Sequence, residues 1–162
     1  MATTSYVIAL GGNRRTRLGS PRATLAAALV QLGPVVASPI IETPPLGPSR
    51  RRFANAVAVL EREEDPSAVL AWLKSIERAF GRRPGRRWAA RPLDLDIVLW
   101  SGGVWSNSGL TVPHAGFRAR AFVLDPLAAL APRWRDPLTG RTVRQLRARL
   151  ARPRSRAAGA GP

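Results

Sequence analysis

Apolar residues along this chain follow two rhythms, short continuous runs and helix-spaced stretches, divided by proline and glycine. Tyr6-Val7-Ile8-Ala9-Leu10, stopped by Gly11-Gly12, predicts a buried strand. Ser20-Pro21 opens a helix, because serine caps the first-turn amides and proline is tolerated at the first position. Leu25, Ala28, Leu29 and Leu32 form its apolar face, and Gly33-Pro34 end it. Val35 to Glu42 predicts a strand, which Thr43-Pro44-Pro45-Leu46-Gly47-Pro48 cannot continue, since prolines lack a ladder donor. Phe53 to Leu60 alternates enough for another strand. Asp65-Pro66 then starts a helix with Val69, Leu70, Leu73, Ile76 and Phe80 at helical spacing, closed by Gly81. Leu93 to Trp100 predicts a strand and Leu110-Thr111-Val112 a short extra one. Helices are expected over Ala121–Ala131 and Thr142–Leu150.

The order β-α-β-β-α-β with additions is the ferredoxin-like pattern. The expected class is therefore α+β, with helices packed on a mainly antiparallel sheet and C-terminal helical additions. Residues 1–150 are expected to form a single domain and residues 151–162 a basic, disordered tail.

Length and composition narrow the possibilities. At 162 residues the chain is long enough to bury a core without staples, and it has no cysteine, which excludes disulfides, zinc–thiolate sites and thiol nucleophiles. The most apolar stretch, Ala23 to Ile41, is interrupted by Gln31, Gly33, Pro34 and Pro39 and does not suit a bilayer span. Met1 to Ser5 lack the features of a signal peptide, so a cytoplasmic protein without a membrane partner is expected. The net charge is +16, and all of the basic residues but Lys74 are arginine. That balance suits an anionic partner, but residues 118–162 alone carry +9, so much of the excess lies towards the tail.

The sharpest local signal is Arg91-Pro92-Leu93-Asp94-Leu95-Asp96-Ile97. On a strand, Asp94 and Asp96 point to one face while Leu93, Leu95 and Ile97 point to the core. Paired carboxylates at this spacing suit magnesium, which takes one or two carboxylates and completes its shell with water and phosphate oxygens. A solvent-facing acidic stripe would read the same way, but acids are scarce here and these two follow an arginine-rich loop. That loop carries Arg82, Arg83, Arg86, Arg87 and Arg91 with Trp88 among them, and guanidinium groups bind phosphate oxygens bidentately. A solvated basic loop or a nucleic-acid contact is the plainer reading of those arginines. Phe53, Asn55, Trp88 and Phe122 could form an aromatic slot with a polar anchor for a flat heterocycle, although single aromatics more often belong to the core. His114 is the only histidine, and Gly11-Gly12-Asn13 matches no standard phosphate loop. The residues alone lead to a magnesium-dependent, phosphate-handling site.

Taken in order, a set of motifs resembles the hydroxymethyldihydropterin pyrophosphokinase family of folate biosynthesis. They are Ala9-Leu10-Gly11-Gly12-Asn13, Glu42 to Pro48, Phe53-Ala54-Asn55-Ala56, Ile76-Glu77 with Gly81-Arg82, Arg87-Trp88, Arg91 to Ile97, Leu110 to His114, and Arg120 to Leu124 with Pro126-Leu127. The resemblance covers about residues 5 to 135. It implies transfer of pyrophosphate from ATP to the pterin hydroxymethyl group, releasing AMP. It implies that Asp94 and Asp96 hold two Mg2+ ions and that Arg82 and Arg91 act with them in catalysis. Glu77, Arg82, Arg87, Trp88, Arg91, His114 and Arg120 match ATP-binding positions. Thr43, Pro44, Leu46, Phe53, Asn55, Trp88 and Phe122 match pterin-binding ones. The implied partners are these small molecules, with no specific nucleic acid, and a monomer is expected.

Several positions depart from the family pattern. Ala89-Ala90 replace a Gly-Pro pair, Phe53 stands where tyrosine is common, and Gly109 and Ala115 replace larger residues. Lys74 stands where glutamine can contact the nucleotide. These departures keep open a same-fold paralogue that acts on another pterin or regulates without catalysis. A basic nucleic-acid-binding module also shares the βαββαβ order, but it leaves the paired aspartates unexplained and lacks exposed aromatics on central strands.

Overall fold

The computed structural model describes residues 2–44, 52–81 and 92–153. Strand β1 (Thr4–Gly12) runs through the middle of an antiparallel sheet, between β4 (Phe53–Arg62) and β5 (Asp94–Trp100). β2 (Val36–Ala37) and β3 (Ile41–Thr43) pair with the other side of β4, giving the order β2-β4-β1-β5 with β3 also beside β4. This is the expected α+β, ferredoxin-like arrangement.

The single strand expected over Val35–Glu42 is instead the two short strands β2 and β3. Pro39 has no amide hydrogen for the ladder. Ser38 N–H donates to the Val57 carbonyl at 2.8 Å, and its hydroxyl accepts from Val57 N–H at 2.9 Å. The hydroxyl thereby takes over an acceptor position, and pairing resumes at Ile41.

The helix starts follow the sequence signals. Ser20 Oγ accepts from Ala23 N–H at 3.2 Å at the start of α1 (Pro21–Leu32), and Asp65 Oδ1 accepts from Ala68 N–H at 2.9 Å at the start of α2 (Pro66–Ala79). At the far end of α2, Gly81 takes φ +97° and donates to the Arg78 carbonyl. Leu25, Ala28 and Leu32 of α1, with Val69, Leu73 and Ile76 of α2, bury one face of the sheet through Tyr6, Ile8, Leu10, Ala54, Ala56, Ala58, Leu60, Leu95 and Ile97.

α3 (Ala121–Leu130) and α4 (Val143–Ala151) cover the opposite face, where Val123, Leu124, Leu127, Val143 and Leu146 pack on Val7, Val57, Val98 and Leu99. Thr142 and Gln145 form a reciprocal capping box at the start of α4, which extends to Ala151, one residue into the expected tail. A register shift between Val7 and Ile8 turns Val98 and Leu99 both into this second core and sends Trp100 to the first.

One strand was not expected. β6 (Trp105–Asn107) pairs with β7 (Leu110–Val112) in a separate hairpin. Its three residues are too few and too polar to register as a strand on their own. Trp105 Nε1 and Asn107 Nδ2 both donate to Ser67 Oγ, at 3.2 and 2.7 Å, tying the hairpin to α2.

Candidate active site

Antiparallel register decides which side chains share a face, and here it collects the polar ones at one end. Gly11 of β1 lies opposite Asn55 of β4 on one side and opposite Asp94 of β5 on the other. In the next rung, Ala9 lies between Val57 and Asp96. Asn55, Asp94 and Asp96 therefore belong to one patch on the face that α3 and α4 cover further along. Small residues on the central strand keep the floor of this patch low. A Cβ on Gly11 would lie 3.3 Å from Asn55 Oδ1, and one on Gly12 would lie 2.7 Å from the Pro92 carbonyl oxygen. Both glycines lie within β1; Gly11 is the spacer under the site, while Gly12 faces α1, where a Cβ would also lie 3.4 Å from Leu25 Cδ1.

Asp94 and Asp96 are both half-buried. Burial pushes the Asp96 carboxyl above the ordinary carboxylate range, and the neighbouring Asp94 charge pushes it further. His114 and Lys74 pull it back, while Glu77 adds to the rise. Two like charges held together in this way favour a bound cation. Among the described residues no cluster of three or more His, Cys, Asp or Glu forms a metal cage. The donor set fits magnesium, which accepts two carboxylates and fills its remaining positions with water and phosphate.

Glu77 supports the aspartate strand from α2. Its side chain is wholly buried, accepts from Leu95 N–H at 2.8 Å, and takes a bond from Lys74 Nζ to each oxygen, at 3.3 and 3.2 Å. Leu95 lies between the two aspartates, on a strand that among the described strands pairs with β1, and Glu77 satisfies an amide on its other side.

His114 follows β7. Its N–H donates to the Val98 carbonyl at 3.0 Å, and Nδ1 accepts from Gly116 N–H at 3.1 Å. With Nδ1 as acceptor, the neutral ring carries its proton on Nε2. Arg120, just before α3, has its guanidinium against Gly116, where a Cβ would lie 3.2–3.3 Å from its atoms, and 5.9 Å from the Phe122 ring centre. Phe122, in the first turn of α3, is packed against the second core.

The turn carrying Arg120 is fixed by a pair that the sequence did not single out. Arg118 donates through Nε and Nη2 to Asp136 at 2.6 and 2.7 Å, and Asp136 also accepts from Thr139 Oγ1 and Leu138 N–H. Burial alone would raise the Asp136 carboxyl, but these bonds more than offset it and hold its pKa at about 2. Arg118 and Asp136 lie 18 residues apart with no motif between them, so only the fold reveals the pair.

Phe53, at the start of β4, lies opposite Thr43, and Asn55 Nδ2 donates to Thr43 Oγ1 at 3.2 Å, which fixes the plane of the amide. Pro44 directly follows β3. Phe53 is also a wall of a pocket of about 410 Å³ at the tips of β1, β3 and β4, whose polar lining includes Arg14, Arg15, Arg52 and Glu42. The structure thus groups Thr43, Asn55 and Phe53 on one side and Asp94, Asp96, Glu77 and His114 on the other. Leu46, Arg82, Arg87, Trp88 and Arg91 lie outside the described residues.

Comparison with known proteins gives the family and supports the fold. Residues 7–132 match the family model of 7,8-dihydro-6-hydroxymethylpterin-pyrophosphokinase (HPPK). A 2-amino-4-hydroxy-6-hydroxymethyldihydropteridine pyrophosphokinase from Pseudomonas aeruginosa is 42% identical over 137 residues, covering 80% of this chain and 82% of its own. The protein of that name from Synechocystis is 34% identical over 142 residues, covering 86% of this chain and 73% of its own. Among solved structures, Plasmodium falciparum HPPK-DHPS superposes with a TM-score of 0.69 at 14% identity over 91% of this chain, which supports the fold. This chain spans 45% of that longer protein. With the family model covering most of its length, the chain belongs to the 7,8-dihydro-6-hydroxymethylpterin-pyrophosphokinase family.

Proposed function

We propose that this protein transfers pyrophosphate from ATP to 6-hydroxymethyl-7,8-dihydropterin, giving AMP and the pterin pyrophosphate for folate biosynthesis. The observation that carries the reading is the register that sets Asn55, Asp94 and Asp96 side by side on one end of the sheet. One end of the patch suits a flat, polar heterocycle and the other a chelated triphosphate.

In this reading Asp94 and Asp96 hold two Mg2+ ions, which supply charge neutralisation across the triphosphate. Asn55, oriented by Thr43, reads the pterin's polar edge between Phe53 and Phe122, with Pro44 and Leu46 in the adjoining chain. His114 presents Nε2–H and Arg120 its guanidinium to phosphate oxygens, while Glu77 holds the aspartate strand in place. Arg82, Arg87, Trp88 and Arg91 complete the ATP side, with Arg82 and Arg91 assisting the transfer. The hydroxymethyl oxygen attacks the β-phosphorus and releases its proton to solvent, the bond from that phosphorus to the α–β bridging oxygen breaks, and AMP leaves. The enzyme acts as a cytoplasmic monomer, and no described helix is long and apolar enough to cross a membrane.

The test is product analysis with ATP, magnesium and hydroxymethyldihydropterin. Equal amounts of AMP and pterin pyrophosphate, absent without magnesium, are expected. ADP would overturn the mechanism. Pterin binding without any product would point to a regulatory or altered-specificity paralogue, a reading kept in view by the Ala89, Ala90 and Gly109 departures.

A further inference from the structure

The chain has 25 arginines and a single lysine, and that lysine lies at the edge of the aspartate strand. Lys74 Nζ is 3.3 and 3.2 Å from the two oxygens of Glu77, and Glu77 Oε1 is 2.8 Å from the amide of Leu95, between Asp94 and Asp96. Lys74 is one-third exposed while Glu77 is wholly buried, so the ammonium sits at the rim with its carboxylate partner beneath it. Three of the chain's ten acidic residues converge here. Lys74 thus places a positive charge one carboxylate away from the stretch of β5 that carries Asp94 and Asp96.

We infer that Lys74 is a built-in counter-charge that weakens divalent-cation binding at Asp94 and Asp96, setting how much free cation the site needs. This rests on the proposed cation role of the two aspartates and deepens it. A monovalent ammonium bound to a carboxylate that itself holds the aspartate strand acts in two ways. It partly neutralises the cluster when no cation is present, and it repels a divalent ion that arrives. Both effects have the same sign, so removing the charge tightens cation binding. An ammonium is well suited to the position, because it is a compact point charge that can donate to both oxygens of one carboxylate.

The test is direct Mn2+ binding to the full chain, read by the loss of the free-ion electron paramagnetic resonance signal, for the wild type, Lys74→Met, Lys74→Arg and Asp96→Asn. Lys74→Met is expected to bind Mn2+ about tenfold more tightly, the scale of an ionic interaction across several ångströms of partly solvated protein. Lys74→Arg keeps the charge and is expected to match the wild type, which separates charge from packing. Asp96→Asn should bind more weakly than either. If Mn2+ binds to the wild type and is lost in Asp96→Asn, but Lys74→Met binds no more tightly, the counter-charge inference is overturned and the aspartate reading stands. If Asp96→Asn binds as well as the wild type, or no variant binds Mn2+, the aspartate reading fails and the inference falls with it. Tightening in Lys74→Arg equal to that in Lys74→Met would also overturn the inference, because a packing change would then explain both.

Discussion

The two faces of the sheet use the same strands for different ends. On the first, Tyr6, Ile8 and Leu10 lie among Ala54, Ala56, Ala58, Leu60, Leu95 and Ile97, all buried beneath α1 and α2. On the second, Val7, Val57 and Leu99 are equally buried under α3 and α4. The neighbouring rungs of that second face then change to Ala9 with Asp96, and to Gly11 with Asn55 and Asp94. A period-2 strand allows this division, since packing can be kept on one side while the other changes residue by residue. The site is thus a place where the second core gives way to polar groups. Substitutions on the two faces should separate stability from activity.

The largest expected effect is on activity alone. Asp96→Ala should lower kcat by about 10³-fold or more, the scale for removing a group that stabilises charge in the transition state. The ligand-free variant should melt no lower than the wild type, because burial and Asp94 make the Asp96 charge unfavourable when no cation is bound. A large drop in Tm would show that Asp96 belongs to the packing side of the comparison.

Asp136→Asn should act in the opposite sense. Cutting the bond from half-buried Arg118 to buried Asp136 should cost about 3 kcal/mol of stability, measured by urea unfolding. The depressed Asp136 pKa fixes the pH dependence. Its stabilisation is complete above about pH 4, the ordinary range for Asp, and amounts to about 2 kcal/mol. It is lost as the pH falls towards the folded value of about 2. Between pH 7 and pH 3 the wild type should therefore lose stability that Asp136→Asn does not lose. Parallel pH profiles for the two proteins would contradict this.

The adjacent glycines give the finest separation. A Cβ at position 12 meets backbone, the Pro92 carbonyl, so Gly12→Ala should destabilise by about 1–3 kcal/mol. At position 11 the tight contact is with the Asn55 side chain at 3.3 Å, and the Ala54 carbonyl lies at an ordinary 4.0 Å. Gly11→Ala should change Tm little and instead raise KM for the pterin by displacing the Asn55 amide. Equal loss of Tm in both variants would remove the distinction between the two glycines.

Elements whose signals are local were legible in the sequence. Ser20-Pro21 and Asp65-Pro66 cap their helices as the residues imply, and the alternation around Asp94 and Asp96 places both on one face. The break at Ser38 was not legible, because it depends on a serine hydroxyl meeting Val57 from 19 residues away. Neither was β6, whose polar residues form a strand only with β7 opposite and Ser67 beneath. In the site, the aspartates, Asn55 and His114 carried motif signals. Glu77's bond to Leu95 and the Arg118–Asp136 pair are long-range and needed the fold. The glycines were misleading locally, since a Gly-Gly-Asn run suggests a loop, whereas the space they provide is defined by Pro92 and Asn55.

The bond from Leu95 to Glu77 has a consequence away from the chemistry. Among the described strands β5 pairs with β1, so its outer side is an edge of the described sheet, and open edges invite another chain to add a strand. The buried Glu77 carboxylate occupies one of the amides that an incoming strand would need. Together with the His114 N–H bond to the Val98 carbonyl, this side chain leaves fewer backbone groups on the outer side of β5 for another strand to use.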